Sequence, residues 1–220
     1  MSYILCDVEG TTTDIQFVHQ KLFPFAAQRI EGFFKEHPTQ LKLSANALSC
    51  SKEDVVLKLK KMIEDDVKDA ELKRVQGLIW KEGYSSGKLK GHVYGDVLPA
   101  FEHWVASGYR IGIYSSGSIQ AQKLIYGHSV AGDLTHFLSD HFDLGVGYKY
   151  EASSYQNICL KLQMEASDVL FLSDVEAELD AASSVGMKTV RLFRDGVEET
   201  AHRFAEDFQQ VQKLLDQESF

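Results

Sequence analysis

Short apolar runs separated by helical stretches constrain the second half of this chain more than any other feature. Residues 110–114, a run near 141–145, residues 169–172 and residues 188–192 read as strands. Helical patterns at about 99–105, 118–127, 153–163 and 176–185 alternate with them, and an amphipathic stretch at 205–216 follows. Strands that alternate with helices specify a parallel sheet covered on both faces. Tyr3-Ile4-Leu5-Cys6 is another buried run of this kind and joins the sheet. The expected fold is α/β, a doubly wound, Rossmann-like parallel sheet.

Between the first strand and the rest the texture is helical. Residues 15–37 carry a helical pattern interrupted at Pro24, which reads as a short segment to Phe23 and a fresh helix from Pro24. Residues 38–50 read as a polar connection. Ser51 caps a helix running to about Asp69, and residues 72–84 form another. The expected division is an α/β domain of residues 1–13 and 96–220, with residues 14–95 inserted as a helical domain.

The strand ends carry the chemistry. Asp7-Val8-Glu9-Gly10-Thr11-Thr12 follows the first strand, and alternation along an extended backbone would point both carboxylates the same way. In α/β sheets ligands bind at the carboxyl ends of strands. Two such acids hold a hard cation, divide the roles of nucleophile and acid/base, or simply end a strand in water. The second strand ends in Ser115-Ser116-Gly117-Ser118, where Ser118 is a helix cap and Ser115 and Ser116 remain for an anion. Lys149 precedes a helix that Ser153 would cap. Residues 169–172 lead into Ser173-Asp174, and Glu178 follows one helical turn later on the same face. Carboxylate pair, hydroxyl, amine and carboxylate thus occur in chain order at four strand ends.

Composition excludes several classes. A formal charge of −9 argues against a nucleic-acid partner. Cys6, Cys50 and Cys159 are odd in number and scattered, which fits a reducing compartment and no zinc motif. No apolar run approaches the ~20 residues that span a bilayer, and the N-terminal run ends at Asp7 without a basic segment, so a cytoplasmic protein is expected. Gln76, Trp80 and Tyr84, spaced i, i+4, i+8, read as helix core, and His128 as structural.

The motif order resembles the haloacid dehalogenase superfamily of Mg²⁺-dependent phosphatases. Asp7-Val8-Glu9-Gly10-Thr11 is similar to its first motif, Ser115 to the second, Lys149 to the third, and Asp174 with Glu178 to the acidic fourth. The helical insertion resembles that superfamily's cap. DVEGTTTDIQFVHQKLFPF, QGLIWKEGY at 76–84, GDVLPAFEHW at 95–104, IYSSGSIQAQKLIYGHS at 113–129 and LFLSDVEAELDAA at 170–182 resemble the enolase-phosphatases (acireductone synthases) of methionine salvage. Glu9, where most of the superfamily has Asp, carries that distinction.

The resemblance implies a substrate, 2,3-diketo-5-methylthiopentyl-1-phosphate. It would be enolised and then dephosphorylated to the acireductone 1,2-dihydroxy-3-keto-5-methylthiopentene. Asp7 would be the nucleophile and form an aspartyl-phosphate. Glu9 would be general acid and base, and Ser115, Ser116 and Lys149 would bind the phosphate. One Mg²⁺ per subunit would be held by Asp7, the Glu9 carbonyl and Asp174. The resemblance also implies a monomer acting on a small phosphorylated diketone, and the charge and the lack of a spanning apolar run lead to the expectation of no nucleic-acid or membrane partner. A phosphomonoesterase of another small metabolite and a catalytically silent binding protein of the same fold are the alternatives.

Overall fold

The computed structural model describes residues 2–217. The chain divides into two compact units, Met1–Ile15 with Gly91–Phe220, and Gln16–Lys90. The crossings fall at 15–16 and 90–91, where the sequence expectation set them at 13–14 and 95–96. Among the described residues no helix is long and apolar enough to cross a membrane.

Among the described residues, the first unit is built on six parallel strands in the order β3-β2-β1-β4-β5-β6. They are β1 (Tyr3–Cys6), β2 (Arg110–Tyr114), β3 (Leu138–Phe142), β4 (Val169–Ser173), β5 (Lys188–Leu192) and β6 (Arg203–Ala205). Central β1 and β4 are buried along their whole length, as apolar runs of a two-sided parallel sheet must be. Tyr3, Leu5, Val169 and Phe171 pack on one face with Tyr155, Ile158 and Leu179 from the covering helices.

Two edge strands depart from the expected pattern. β3 occupies 138–142 rather than 141–145, because Ser139, Asp140 and His141 make an edge strand too polar to announce itself. β6 was not expected at all: three residues are too few to show a period. The last helix accordingly starts at Phe208 rather than 205.

The second unit contains only helices. α1 (Ile15–Phe17), which begins one residue before this unit, runs through a π turn at Val18–Leu22 into α2 (Phe23–Glu36) without the break expected at Pro24. The Phe23 N–H reaches the Val18 carbonyl five residues back, so the widened turn accommodates a proline that has no N–H to offer. α3 (Pro38–Ala47) is a helix where a connection was expected. Its buried positions are only Ser44 and Ala45, and polar contacts hold it: Arg74 donates to Gln40 and Glu71, and Ser44 to Glu71. A helix fastened this way shows no apolar stripe. α4 (Lys52–Glu64), capped by Ser51, and α5 (Ala70–Ser85), capped by Asp69, complete the unit. Trp80 is buried and its indole N–H donates to the Leu22 carbonyl at 2.9 Å, the core role read for it.

The remaining helices, α6 (Val97–Ala106), α7 (Ile119–Gly127), α8 (Ala152–Leu162), α9 (Glu176–Ser184) and α10 (Phe208–Asp216), belong to the sheet unit.

Candidate active site

Strand β1 stops at Cys6, so Asp7 and Glu9 are not consecutive same-face residues of a strand. A tight turn holds them together instead. The N–H groups of Thr11, Thr12 and Thr13 all converge on the Val8 carbonyl, at 3.3, 3.0 and 2.9 Å. Gly10 adopts φ +74°, and a Cβ there would fall on the Asp174 carboxylate. Only glycine lets Asp174 approach the turn.

The sheet register, carried one residue past β1, sets Asp7 between Tyr114 and Ser173. Asp7 is buried; its Oδ1 accepts the Val8 N–H at 2.7 Å and meets Lys149 Nζ at 2.5 Å. Lys149 Nζ also lies 2.6 Å from Glu178 Oε2 and 5.8 Å from the centre of the Tyr114 ring. Ser173 Oγ sits 2.9 Å from Glu178 Oε2 and 3.4 Å from Asp7 Oδ2.

Ser115, buried at the end of β2, donates to Glu9 Oε2 at 3.1 Å and accepts the Gly117 N–H at 2.9 Å. Ser116 is exposed beside it. Ser118 caps α7 through the Ala121 N–H, as expected. Ser153 does not cap α8; Glu151 occupies that position without a side-chain cap bond, and Ser153 lies inside the helix.

The carboxyl groups of Asp7, Glu9, Asp174 and Glu178 and the Lys149 ammonium are therefore clustered at this end of the sheet. Burial, and then the Asp7 charge, push Glu9 above the ordinary carboxylate range and raise Asp174 and Glu178 to about 7 each. Burial opposes the charge on Lys149, but Asp7 and Glu178 together outweigh it and raise the ammonium above the usual lysine range. Asp174 Oδ1 is buried and makes no hydrogen bond to any described residue. A carboxylate oxygen left this way beside further hard oxygens fits Mg²⁺.

The structure thus brings Asp7, Glu9, Ser115, Lys149, Asp174 and Glu178 together. Ser173 is not among the residues expected from the sequence, although it is a hydroxyl at a strand end, like Ser115. Nor is Arg194, which donates twice to the Thr11 carbonyl, at 3.0 and 2.6 Å, and pairs with Asp96 at 2.7 Å. An arginine after an edge-side strand carries no comparable sequence signal.

The haloacid dehalogenase-like hydrolase family matches residues 1–186. Enolase-phosphatase E1 of Pseudomonas syringae pv. syringae is 44% identical over 99% of this chain and 98% of its own length. Enolase-phosphatase E1 of Marinobacter nauticus is 45% identical over 96% of this chain and 97% of its own. Among solved structures, the Unknown transcript 4 protein of Saccharomyces cerevisiae superposes with a TM-score of 0.83 at 32% identity, covering 94% of this chain and 98% of that one.

Proposed function

Because this chain belongs to the haloacid dehalogenase-like hydrolases and, within them, to the enolase-phosphatase E1 family, we propose that it enolises and dephosphorylates 2,3-diketo-5-methylthiopentyl-1-phosphate. The products are the acireductone 1,2-dihydroxy-3-keto-5-methylthiopentene and phosphate. The observation that carries this reading is the Asp7–Lys149–Glu178 contact with Glu9 on the adjoining turn: a buried carboxylate held by an ammonium, beside a carboxyl raised above its ordinary range.

Asp7 is the nucleophile of the dephosphorylation. Its carboxylate attacks phosphorus, the bond to the substrate oxygen breaks, and water later hydrolyses the aspartyl-phosphate. Lys149 offsets the repulsion between that carboxylate and the incoming dianion. The Ser115 hydroxyl and the exposed Ser116 serve the phosphoryl oxygens. Asp7, the Glu9 carbonyl and Asp174 would hold Mg²⁺, which supplies further charge neutralisation at the phosphoryl group when bound.

Glu9 protonates the leaving oxygen. A carboxyl raised from its ordinary range keeps its proton nearer neutrality and is the stronger base once ionised. The retained proton suits Glu9 as the acid, and the greater basicity of its ionised form suits it for removing the proton α to the carbonyl in the enolisation. A cytoplasmic setting belongs to the same proposal, supported by three unpaired cysteines, of which Cys6 is a buried core thiol.

The test is an assay on the diketo phosphate that follows acireductone absorbance and free phosphate together, with and without Mg²⁺. Metal-dependent appearance of both products supports the proposal. Phosphate release from generic monoesters, with no acireductone from the diketone, leaves a phosphatase and sinks the substrate.

A further inference from the structure

Lys149 stands at the end of a segment whose carbonyls are held one after another by side chains. The Val146 carbonyl accepts from Asn157 Nδ2 at 3.0 Å, and the Gly147 carbonyl from the Tyr114 hydroxyl at 2.8 Å. The Tyr148 carbonyl accepts from Ser154 Oγ at 2.7 Å as well as from the Glu151 N–H at 3.0 Å, and the Lys149 carbonyl from the Tyr155 hydroxyl at 2.7 Å. Three of these donors come from the first turns of α8, and the fourth from the last residue of β2. Loop carbonyls usually turn to water or to backbone donors. Four consecutive carbonyls taken by four side chains make a support.

The support is itself braced. Tyr114 and Tyr155 are fully buried and meet edge to face, ring centres 5.7 Å apart, so each ring fixes where the other's hydroxyl points. Gly147 has φ +127°, and a Cβ there would fall on Ser154 Oγ. The segment runs this close to α8 only because that residue is glycine.

We propose that Tyr155 and Tyr114 are positioning residues for the phosphoryl transfer, fixing the backbone from which Lys149 reaches Asp7. This rests on the role given to Lys149 in the proposed function. A lysine stem has four rotatable bonds. Its ammonium is pinned at the far end by Asp7 and Glu178, and in turnover that end must also serve the transferring phosphoryl group. The near end then has to supply the fixed reference, and the two tyrosine hydroxyls supply it.

Tyr155→Phe and Tyr114→Phe keep the rings and delete one hydroxyl each; Asn157→Ala removes a support without touching either ring. A misplacement of about 1 Å costs up to about 100-fold, so a partial shift in Tyr155→Phe lowers kcat by roughly 10-fold. The Mg²⁺ concentration for half-activation stays unchanged. In a Lys149→Met background Tyr155→Phe has no further effect, because the group it positions is gone. A kcat within twofold of wild type, or an equal loss in both backgrounds, overturns the proposal.

Binding of inorganic phosphate in the presence of Mg²⁺, measured by calorimetry, reads the same geometry without turnover. It weakens in Tyr155→Phe if Lys149 has moved, and unchanged binding counts against the proposal. A wild-type protein that binds phosphate but releases none from any monoester would defeat the functional reading while leaving this comparison decisive.

Discussion

Lys149 Nζ lies 2.5 Å from Asp7 Oδ1, with the two side chains only 9% and 3% exposed. Charges this far from water are costly unless each answers another, and here one ammonium answers two carboxylates, Asp7 and Glu178. In the proposed function this arrangement handles a further anion, the phosphoryl group, rather than serving stability.

Lys149→Met should therefore damage both activity and fold. Removing one partner of a buried pair typically costs about 3–5 kcal/mol, because the other charges stay buried. The loss of phosphoryl-charge stabilisation should lower kcat by about 100-fold or more. Urea unfolding and phosphate release measured on the same preparation check the two halves; a variant as stable and as fast as wild type would contradict both.

The carboxyl groups give a pH dependence of definite sign. Asp174 and Glu178 hold their protons to about pH 7 in the fold, against 3.8 and 4.5 ordinarily. Between those values the folded chain binds protons that the unfolded chain has released. Their contribution to stability is complete below about pH 4 and is lost as the pH rises through 7. His92 and His141, both lowered by burial, act in the opposite sense as the pH falls below about 6.5. Comparison with Glu178→Gln isolates the contribution of the Glu178 carboxyl. In chelator, the melting temperature of wild type relative to this variant should fall from pH 5.5 to 8, and a rise would overturn the assignment.

Gly10→Ala should lose metal-dependent activity. The substitution strains a backbone at φ +74° and drives a methyl group into the Asp174 carboxylate. Mg²⁺ binding followed by calorimetry should weaken by 10-fold or more if Asp174 is displaced. Unchanged Mg²⁺ affinity would remove Asp174 from the metal site.

The core of this picture is legible in the sequence because it rests on strong local signals. Buried strands such as 169–172 are apolar throughout, and each ends in a polar residue that the parallel topology delivers to one edge. What the sequence concealed follows from weak or non-local signals. β3 is polar because it is an edge, and α3 is held by Arg74 and Glu71 rather than by an apolar face. The nearness of Asp7 and Glu9 comes from a turn closed on the Val8 carbonyl, which strand alternation does not describe. The support under Lys149 joins Tyr114 to Gly147 and Tyr155 to Lys149, pairings that only the folded chain creates.

The central claim is that Asp7 carries the phosphoryl group. Quenching the wild-type protein during turnover with Mg²⁺ and substrate, reducing with borohydride and sequencing the peptides by mass spectrometry tests it directly. An aspartyl-phosphate at Asp7 is reduced to homoserine, so the account predicts homoserine at position 7, absent without substrate or in Asp7→Asn. Sustained phosphate release with position 7 unmodified, or with the modification on Glu9, Asp174 or Glu178, would contradict it.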